Sequence, residues 1–293
     1  MITSPTMNPV LREIVDLLNV EKIEENLYRG HNIASSQHVF GGQVLAQAIA
    51  AAYRTVAGGE PRSLHSIHAY FLRPGDWNRP IFYELDRIRD GQSFTTRRVV
   101  AIQHGRAIFS MSSSWQREEP GLEHSVPMPD VPSPASLRSD KETFAQIAEQ
   151  RPEVRRFSYR FDAIDCRQVE NISIVERETH PPYKHTWMRT QDPLPDDPEL
   201  HLCLLAYMSD LDFMSTALLP HGRHPSAGGN VQGASLDHAM WFHRRFRADE
   251  WLLFAKSSPS ASGARGFVRG QFFDERGALV ATAAQECLIR PRE

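Results

Sequence analysis

Apolar and polar positions along the chain follow two alternating periods. Behind Asn8-Pro9, the residues Val10, Leu11, Ile14, Leu17 and Leu18 recur at helical spacing and predict a short amphipathic helix. From Gly41 to Val56, a second helical face is marked by Val44, Leu45, Ala48, Ile49, Ala52 and Tyr53, and alanine fills much of the remainder. Such small side chains let a sheet close around the helix, because backbones approach without bulk between them. The pattern then changes to strand-like runs from Leu64 to Leu72, Ile81 to Ile88, Phe94 to Ile102 and Ala107 to Trp115. Asp90-Gly91 and His104-Gly105 punctuate the last three. One helix followed by an antiparallel meander is an α+β unit.

Between Glu118 and Asp140 the periodicity stops. Pro120, Pro127, Pro129, Pro132 and Pro134 crowd a stretch that no helix or central strand tolerates, so a linker is expected. Ser139-Asp140-Lys141-Glu142 then has the form of a capping box opening a short helix. Beyond it the first half recurs: Tyr70-Phe71-Leu72-Arg73 matches Trp241-Phe242-His243-Arg244 at an offset of 171, and at almost the same offset Gly105 before a strand matches Gly277 before another. Further runs span Trp251 to Ser257, Arg265 to Phe273 and Ala278 to Ile289. Ahead of them, Asp197-Pro198-Glu199 supplies an N-cap and a first-turn proline for a helical segment reaching about Leu218. The expected organisation is a fused pseudo-dimer. Residues 1–118 form one unit with a leading helix, 119–178 a Pro-rich linker and short helix, and 179–293 a second unit.

Composition narrows the function. With 33 Lys and Arg against 36 Asp and Glu, the chain of 293 residues carries a formal charge of −3 and lacks the basic footprint of a nucleic-acid binder. At 41% hydrophobic and 24% charged residues it reads as globular. Cys166, Cys203 and Cys287 are odd in number and form no CxxC, which excludes a zinc ribbon and a disulfide scaffold and fits buried thiols in a reducing compartment. Met1-Ile2-Thr3-Ser4-Pro5 has no secretory pattern, no apolar run approaches the ~18 residues of a membrane span, and Arg290-Pro291-Arg292-Glu293 is no targeting tripeptide. A soluble, cytoplasmic protein with no membrane partner is expected.

Standard catalytic motifs are missing: no G-x-S-x-G elbow, no Walker A loop, no G-x-G-x-x-G after a strand, no H-E-x-x-H. His221 and His224 lie in loop composition, and His238 and His243, five apart in a strand, point to opposite faces and cannot share a metal. No metal and no cofactor is implied. Three polar residues stand out. Gln285 interrupts the apolar face of Leu279, Ala281, Ala283, Cys287 and Ile289, and a buried amide needs partners, either neighbouring backbone or a site. Asp210 sits in the otherwise apolar Tyr207 to Phe213, where Ser209 and Asp212 also fit a capping box that would make Asp210 a mere first-turn acid. Ser235 follows Gly228-Gly229-Asn230 and Gly233 at the entry to a strand.

Several long motifs in order resemble the type II acyl-CoA thioesterases of the double hotdog fold. They are Val39-Phe40-Gly41-Gly42-Gln43-Val44, His65 through Asp76, Arg89-Asp90-Gly91-Gln92-Ser93-Phe94 and Ser209-Asp210-Leu211-Asp212-Phe213. Leu236 through Arg244, Ala264 through Gly270, and Gln285-Glu286 complete the set. The resemblance runs from about Leu17 to Ile289 and is least specific between Glu118 and Glu178. It implies two hotdog units, each a sheet wrapped around one helix, and an acyl-CoA substrate hydrolysed to free fatty acid and CoA. It also implies a catalytic set that carries over to Asp210, Ser235 and Gln285, with Ser235 where other members have Thr.

Asp210 would then act as general base on a water that Ser235 and Gln285 orient. Gly42, at the opening of a helix, would stabilise the oxyanion through its backbone N–H. His65 is a second candidate base. A pH–rate limb near ~6.5 would indicate histidine and one near ~4–5 the carboxylate. Arg73, Arg265 and Arg269 are candidate phosphate partners on charge alone. Two other readings stay open: a hotdog hydratase, which needs an Asp/His pair beside an enoyl carbon, and a non-catalytic acyl-CoA-binding sensor. Exposed sheet edges lead to the expectation of a homo-oligomer.

Overall fold

A single sheet bends around two buried helices. The computed structural model describes residues 7–33, 38–56, 61–150, 159–170, 172–173, 177–224 and 231–292; Met1 to Pro5, Gly228-Gly229-Asn230 and Glu293 lie outside them. The first half contains β1 (Glu21–Glu24), β2 (Leu27–Gly30), β3 (Arg62–Phe71), β4 (Ile81–Asp90), β5 (Phe94–Gln103) and β6 (Arg106–Arg117). In the second half are β7 (Ile164–Gln168), β8 (Tyr183–Thr190), β9 (Val231–Ser235), β10 (Asp237–Phe242), β11 (Leu252–Ser262), β12 (Arg265–Asp274) and β13 (Leu279–Pro291). Their spatial order is β1-β2-β4-β5-β6-β3-β10-β13-β12-β11-β8-β7, with β9 also paired to β13. This is the architecture of the double hotdog.

The halves join where β3 and β10 pair antiparallel, Tyr70 opposite Asp237 and Ser66 opposite Trp241. The residue 171 positions after His68 is Ala239, its partner in that ladder. The repeat offset read from the sequence is therefore the register of the central seam, and a pseudo-twofold passes through it. His104 and Gly105 both take positive φ, 50° and 67°, as a two-residue primed hairpin between β5 and β6 requires.

Helix α1 (Pro9–Leu17) is capped by Asn8, whose Oδ1 accepts from the amides of Val10 and Leu11 at 2.9 and 3.4 Å. Helix α2 (Gly41–Val56) is buried nearly all round, as its alanines allow. The capping box at Ser139 forms in both directions, the Glu142 amide on Ser139 Oγ at 3.3 Å and the Ser139 amide on Glu142 Oε2 at 3.4 Å, and opens α3 (Asp140–Gln150). Helix α4 (Pro198–Ser209) starts as expected, with Asp197 Oδ1 accepting from the Glu199 amide at 3.0 Å.

Four expectations change. The second helical segment does not run unbroken to Leu218: α4 ends at Ser209, Asp212 takes φ 54°, and a 3-10 helix follows over Met214–His221. The Ser209/Asp212 capping box does not form, since Ser209 Oγ lies on the Ala206 carbonyl at 2.8 Å. The stretch from Pro198 to His221 is also long and apolar enough to cross a membrane by length and composition, contrary to the sequence reading. It is 72% buried, as expected of a core segment. Finally, a bulge at the start of β13 pairs Phe272 with Ala281 but Phe273 with Leu279. Leu279 thereby leaves the inner face and packs with Trp187, Leu253 and Phe273.

Candidate active site

Asp210 stands where the two core helices meet. It is the C-cap of α4, and its carboxylate faces the first turn of α2, where the Gly42 amide donates a hydrogen bond to it. The approach admits only glycine. A Cβ on Gly41 would fall 2.7 Å from Asp210 Oδ2, and one on Gly42 2.5 Å from the Tyr207 carbonyl oxygen. The glycine pair thus serves contact between two helix ends, with Phe40 packed edge-on against Tyr207 at 5.0 Å.

Ser235 closes β9, opposite Cys287 of β13, so Gln285 lies two residues along the same face. Gln285 Nε2 donates to Ser235 Oγ at 2.9 Å, and the Ser235 hydroxyl donates to Asp210 Oδ1 at 3.4 Å. The three residues, far apart in sequence, converge on one wall of a cavity of about 620 Å³. Gln285 finds its partners among side chains rather than on neighbouring backbone.

The series continues inward through a residue whose role the sequence did not suggest. His238, fully buried, places Nδ1 at 2.7 Å from Gln285 Oε1 and Nε2 at 3.0 Å from Ser209 Oγ. Burial pushes its pKa down to about 4, so the ring is neutral at physiological pH. An amide oxygen only accepts, so the tautomer consistent with this geometry carries its proton on Nδ1. The donors then all run one way: His238 to Gln285, Gln285 to Ser235, Ser235 to Asp210. The signal was present in the sequence, because His238 occupies an inward position in the alternating burial of β10 just as Gln285 does in β13.

Burial raises Asp210 to about 6, against the pull of the Gly42 amide, the Arg160 guanidinium and the Ser235 hydroxyl. The carboxylate limb expected near ~4–5 therefore moves to about 6, and a limb in that range no longer distinguishes Asp210 from a histidine. Position does distinguish them. His65 hydrogen-bonds Ser114 Oγ at 2.8 Å and does not line the cavity. Of the three arginines considered for phosphate, Arg73 lies at the cavity rim, Arg265 is ion-paired to Glu286 at 2.8 Å, and Arg269 bonds Ser257 Oγ at 3.3 Å. Arg160, which the sequence did not single out, lines the cavity with its guanidinium 3.9 Å above the Phe40 ring.

The cavity is mostly apolar around Phe40, Phe71 and Phe213, yet one wall is polar. Asp212, His224, Thr186 and Lys256 line it: His224 lies 3.5 Å from the Asp212 carboxylate, Lys256 donates to Thr186 Oγ1 at 3.0 Å, and Lys184, behind the wall, is ion-paired to Asp212. The three cysteines are buried and free, with their thiols pushed up chiefly by burial.

Comparison with known proteins places the chain in a family. Residues 31–116 match the model of the acyl-CoA thioesterase N-terminal domain, and residues 164–288 that of acyl-CoA thioesterase. Acyl-coenzyme A thioesterase 8 of Rattus norvegicus is 38% identical over 290 residues, covering 95% of this chain and 89% of that protein. Among solved structures, acyl-CoA thioesterase II TesB2 from Mycobacterium marinum superposes with a TM-score of 0.79 at 41% identity, over 96% of this chain and 99% of that one. A conserved protein of unknown function with a hot dog fold from Alicyclobacillus acidocaldarius superposes with a TM-score of 0.76 at 17% identity, over 96% and 99% of the chains, and supports the fold alone. The chain belongs to the type II acyl-CoA thioesterase family, thioester hydrolases on a double hotdog fold.

Proposed function

We propose that this protein hydrolyses fatty acyl-CoA to free fatty acid and CoA by direct attack of water, with Asp210 as general base and Ser235 and Gln285 as its orienting partners. The observation that carries the reading is the one-way donor series ending on Asp210 at the cavity wall. Ionised, Asp210 only accepts, and it takes a proton from water as the water oxygen bonds to the thioester carbon. The tetrahedral oxyanion then collapses, the C–S bond breaks, and the proton on Asp210 passes to the departing CoA sulfur. Holding the water in attack geometry contributes several kcal/mol.

Gly42 has two calls on one N–H. In the resting enzyme that amide serves the Asp210 carboxylate. Once Asp210 has taken the proton it is a weaker acceptor, and the amide becomes free for the oxyanion as the charge there grows. Base and oxyanion donor would thus act in sequence.

The pH profile tests the reading. The reading requires ionised Asp210, so kcat/KM should fall as pH drops through about 6 and stay flat above it until other groups titrate. A limb near the ordinary carboxylate value would remove the effect of burial but leave a carboxylate as base, whereas a limb that persists unchanged in Asp210→Asn would remove Asp210 from the role of base. The same reading takes the enzyme to act on acyl-CoA in the cytoplasm, where the unpaired cysteines fit a reducing compartment, and the near-balanced charge offers no footprint for nucleic acid. It also expects a homo-oligomer, since the sheet ends in the outer strands β1 and β7.

A further inference from the structure

The polar wall of the cavity has no task in thioester hydrolysis. Lys184 and Lys256 stand opposite each other in the β8–β11 ladder, both almost fully buried. Two ammonium groups side by side in an interior repel each other and lose hydration, so each needs compensation. Lys184 has it in the Asp212 carboxylate. Lys256 has less: Thr186 Oγ1 at 3.0 Å and the face of Phe254 at 5.2 Å, with no carboxylate within ion-pair distance among the described residues. An ammonium has three donors, and one of these is used. Lys256 lines the cavity with the other two unassigned.

The direction of the cavity indicates what reaches it. His38, Leu72, Arg73 and Pro74 are exposed and form a rim, as do Asp212, Gly233 and Ala234 along its other side, whereas Cys166, Thr186, Met188 and Lys256 line the interior at 1–4% exposure. The CoA phosphates stay hydrated and so remain at the rim, which directs the acyl tail inward. An unsubstituted hydrocarbon would leave the Lys256 donors unsatisfied. Charge narrows the complement further, since the carboxylates of Asp212 and Asp140 already offset the two ammonium groups in Coulombic reach of one another.

We propose that the interior end of the cavity binds a neutral hydrogen-bond-accepting oxygen, a hydroxyl or an oxo group, on the acyl chain, with Lys256 Nζ as donor and Thr186 as its support. The preferred substrates are then oxygen-substituted acyl-CoAs rather than plain saturated ones. This rests on the thioesterase reading and adds the substrate class.

The test compares kcat/KM for length-matched acyl-CoAs, plain or with a hydroxyl or oxo group stepped along the chain, in wild type and Lys256→Met. At one position the oxygenated chain should be favoured ~10-fold, the order expected for a hydrogen bond to a charged donor, and the ratio should fall to about 1 in the variant. Thr186→Val, which frees Lys256, should lower the same ratio if Lys256→Met does not fold. A wild type that turns over the plain chain as well at every position overturns the proposal, as does a ratio unmoved in the variants. Preference for a terminal carboxylate over hydroxyl or oxo would overturn the neutral assignment. No turnover of any chain, plain ones included, would remove the thioesterase reading itself and this inference with it.

Discussion

Asp210→Asn should lose ~10²-fold or more in kcat and at the same time become more stable at pH 8. Asparagine keeps the shape and can still accept from the Gly42 amide and Ser235, so the cavity wall stays in place while the proposed base disappears. The stability gain follows from the same burial that tunes the base. The carboxyl group ionises at about 6 in the folded protein against 3.8 ordinarily, so its charged form is disfavoured by folding. That penalty is absent below pH ~4, where the group is protonated in both states, and complete above about 6. Its size is about 2–3 kcal/mol, equivalent to roughly 5 °C in Tm for a chain of this length. Thermal unfolding of both proteins from pH 4 to 8 checks it. The two Tm values should separate as pH rises, and a variant less stable than wild type at pH 8 would mean that Asp210 is held for packing.

Removing Gln285 should have the next largest effect. Gln285→Ala deletes the donor that fixes Ser235 and leaves the His238 Nδ1–H without its acceptor. A misplaced water costs ~10²-fold. His238→Phe keeps a ring in the pocket but releases the Gln285 amide to rotate, and should cost ~10-fold in kcat with KM little changed. The informative measurement is the double-mutant cycle. If His238 acts only through Gln285, His238→Phe costs almost nothing in the Gln285→Ala background. Additive losses would show that His238 supports the fold generally, by way of Ser209 or its edge-on packing against Phe213 at 5.8 Å.

What the sequence conveyed and what it hid have physical causes. Helix α2 was legible because alanine makes it a helix that only a surrounding sheet can bury, and β4 to β6 because each is bounded by turn residues. Strand β8 was not, since Lys184 and Thr186 point inward and break the apolar alternation that marks a strand. Thr186 belongs to the polar wall of the cavity, and Lys184 backs it through Asp212. The end of α4 was half visible: Ser209, Asp210 and Asp212 interrupt the apolar run and hinted at a helix restart, but Leu211 and Phe213 continue it, and the positive φ of Asp212 lies in the turn that follows. At the site, Gln285 could be seen as a polar residue on an apolar face. Asp210 and Ser235 could not be joined to it by periodicity, since β-pairing and helix ends bring together residues 25 and 50 positions apart. Flanking motifs supplied that link. His238 has the same inward polar signature as Gln285, but no spacing rule connects the two strands.

The most direct test of direct water attack is a single turnover in ¹⁸O-water with enzyme in excess. In the proposed mechanism the water oxygen becomes one oxygen of the acid, and the Asp210 carboxylate exchanges nothing. The released fatty acid should therefore carry one ¹⁸O per molecule, and the peptide containing Asp210 none. An unlabelled acid together with ¹⁸O in Asp210 would mean that this carboxylate attacks the thioester itself, and would contradict its role as a base.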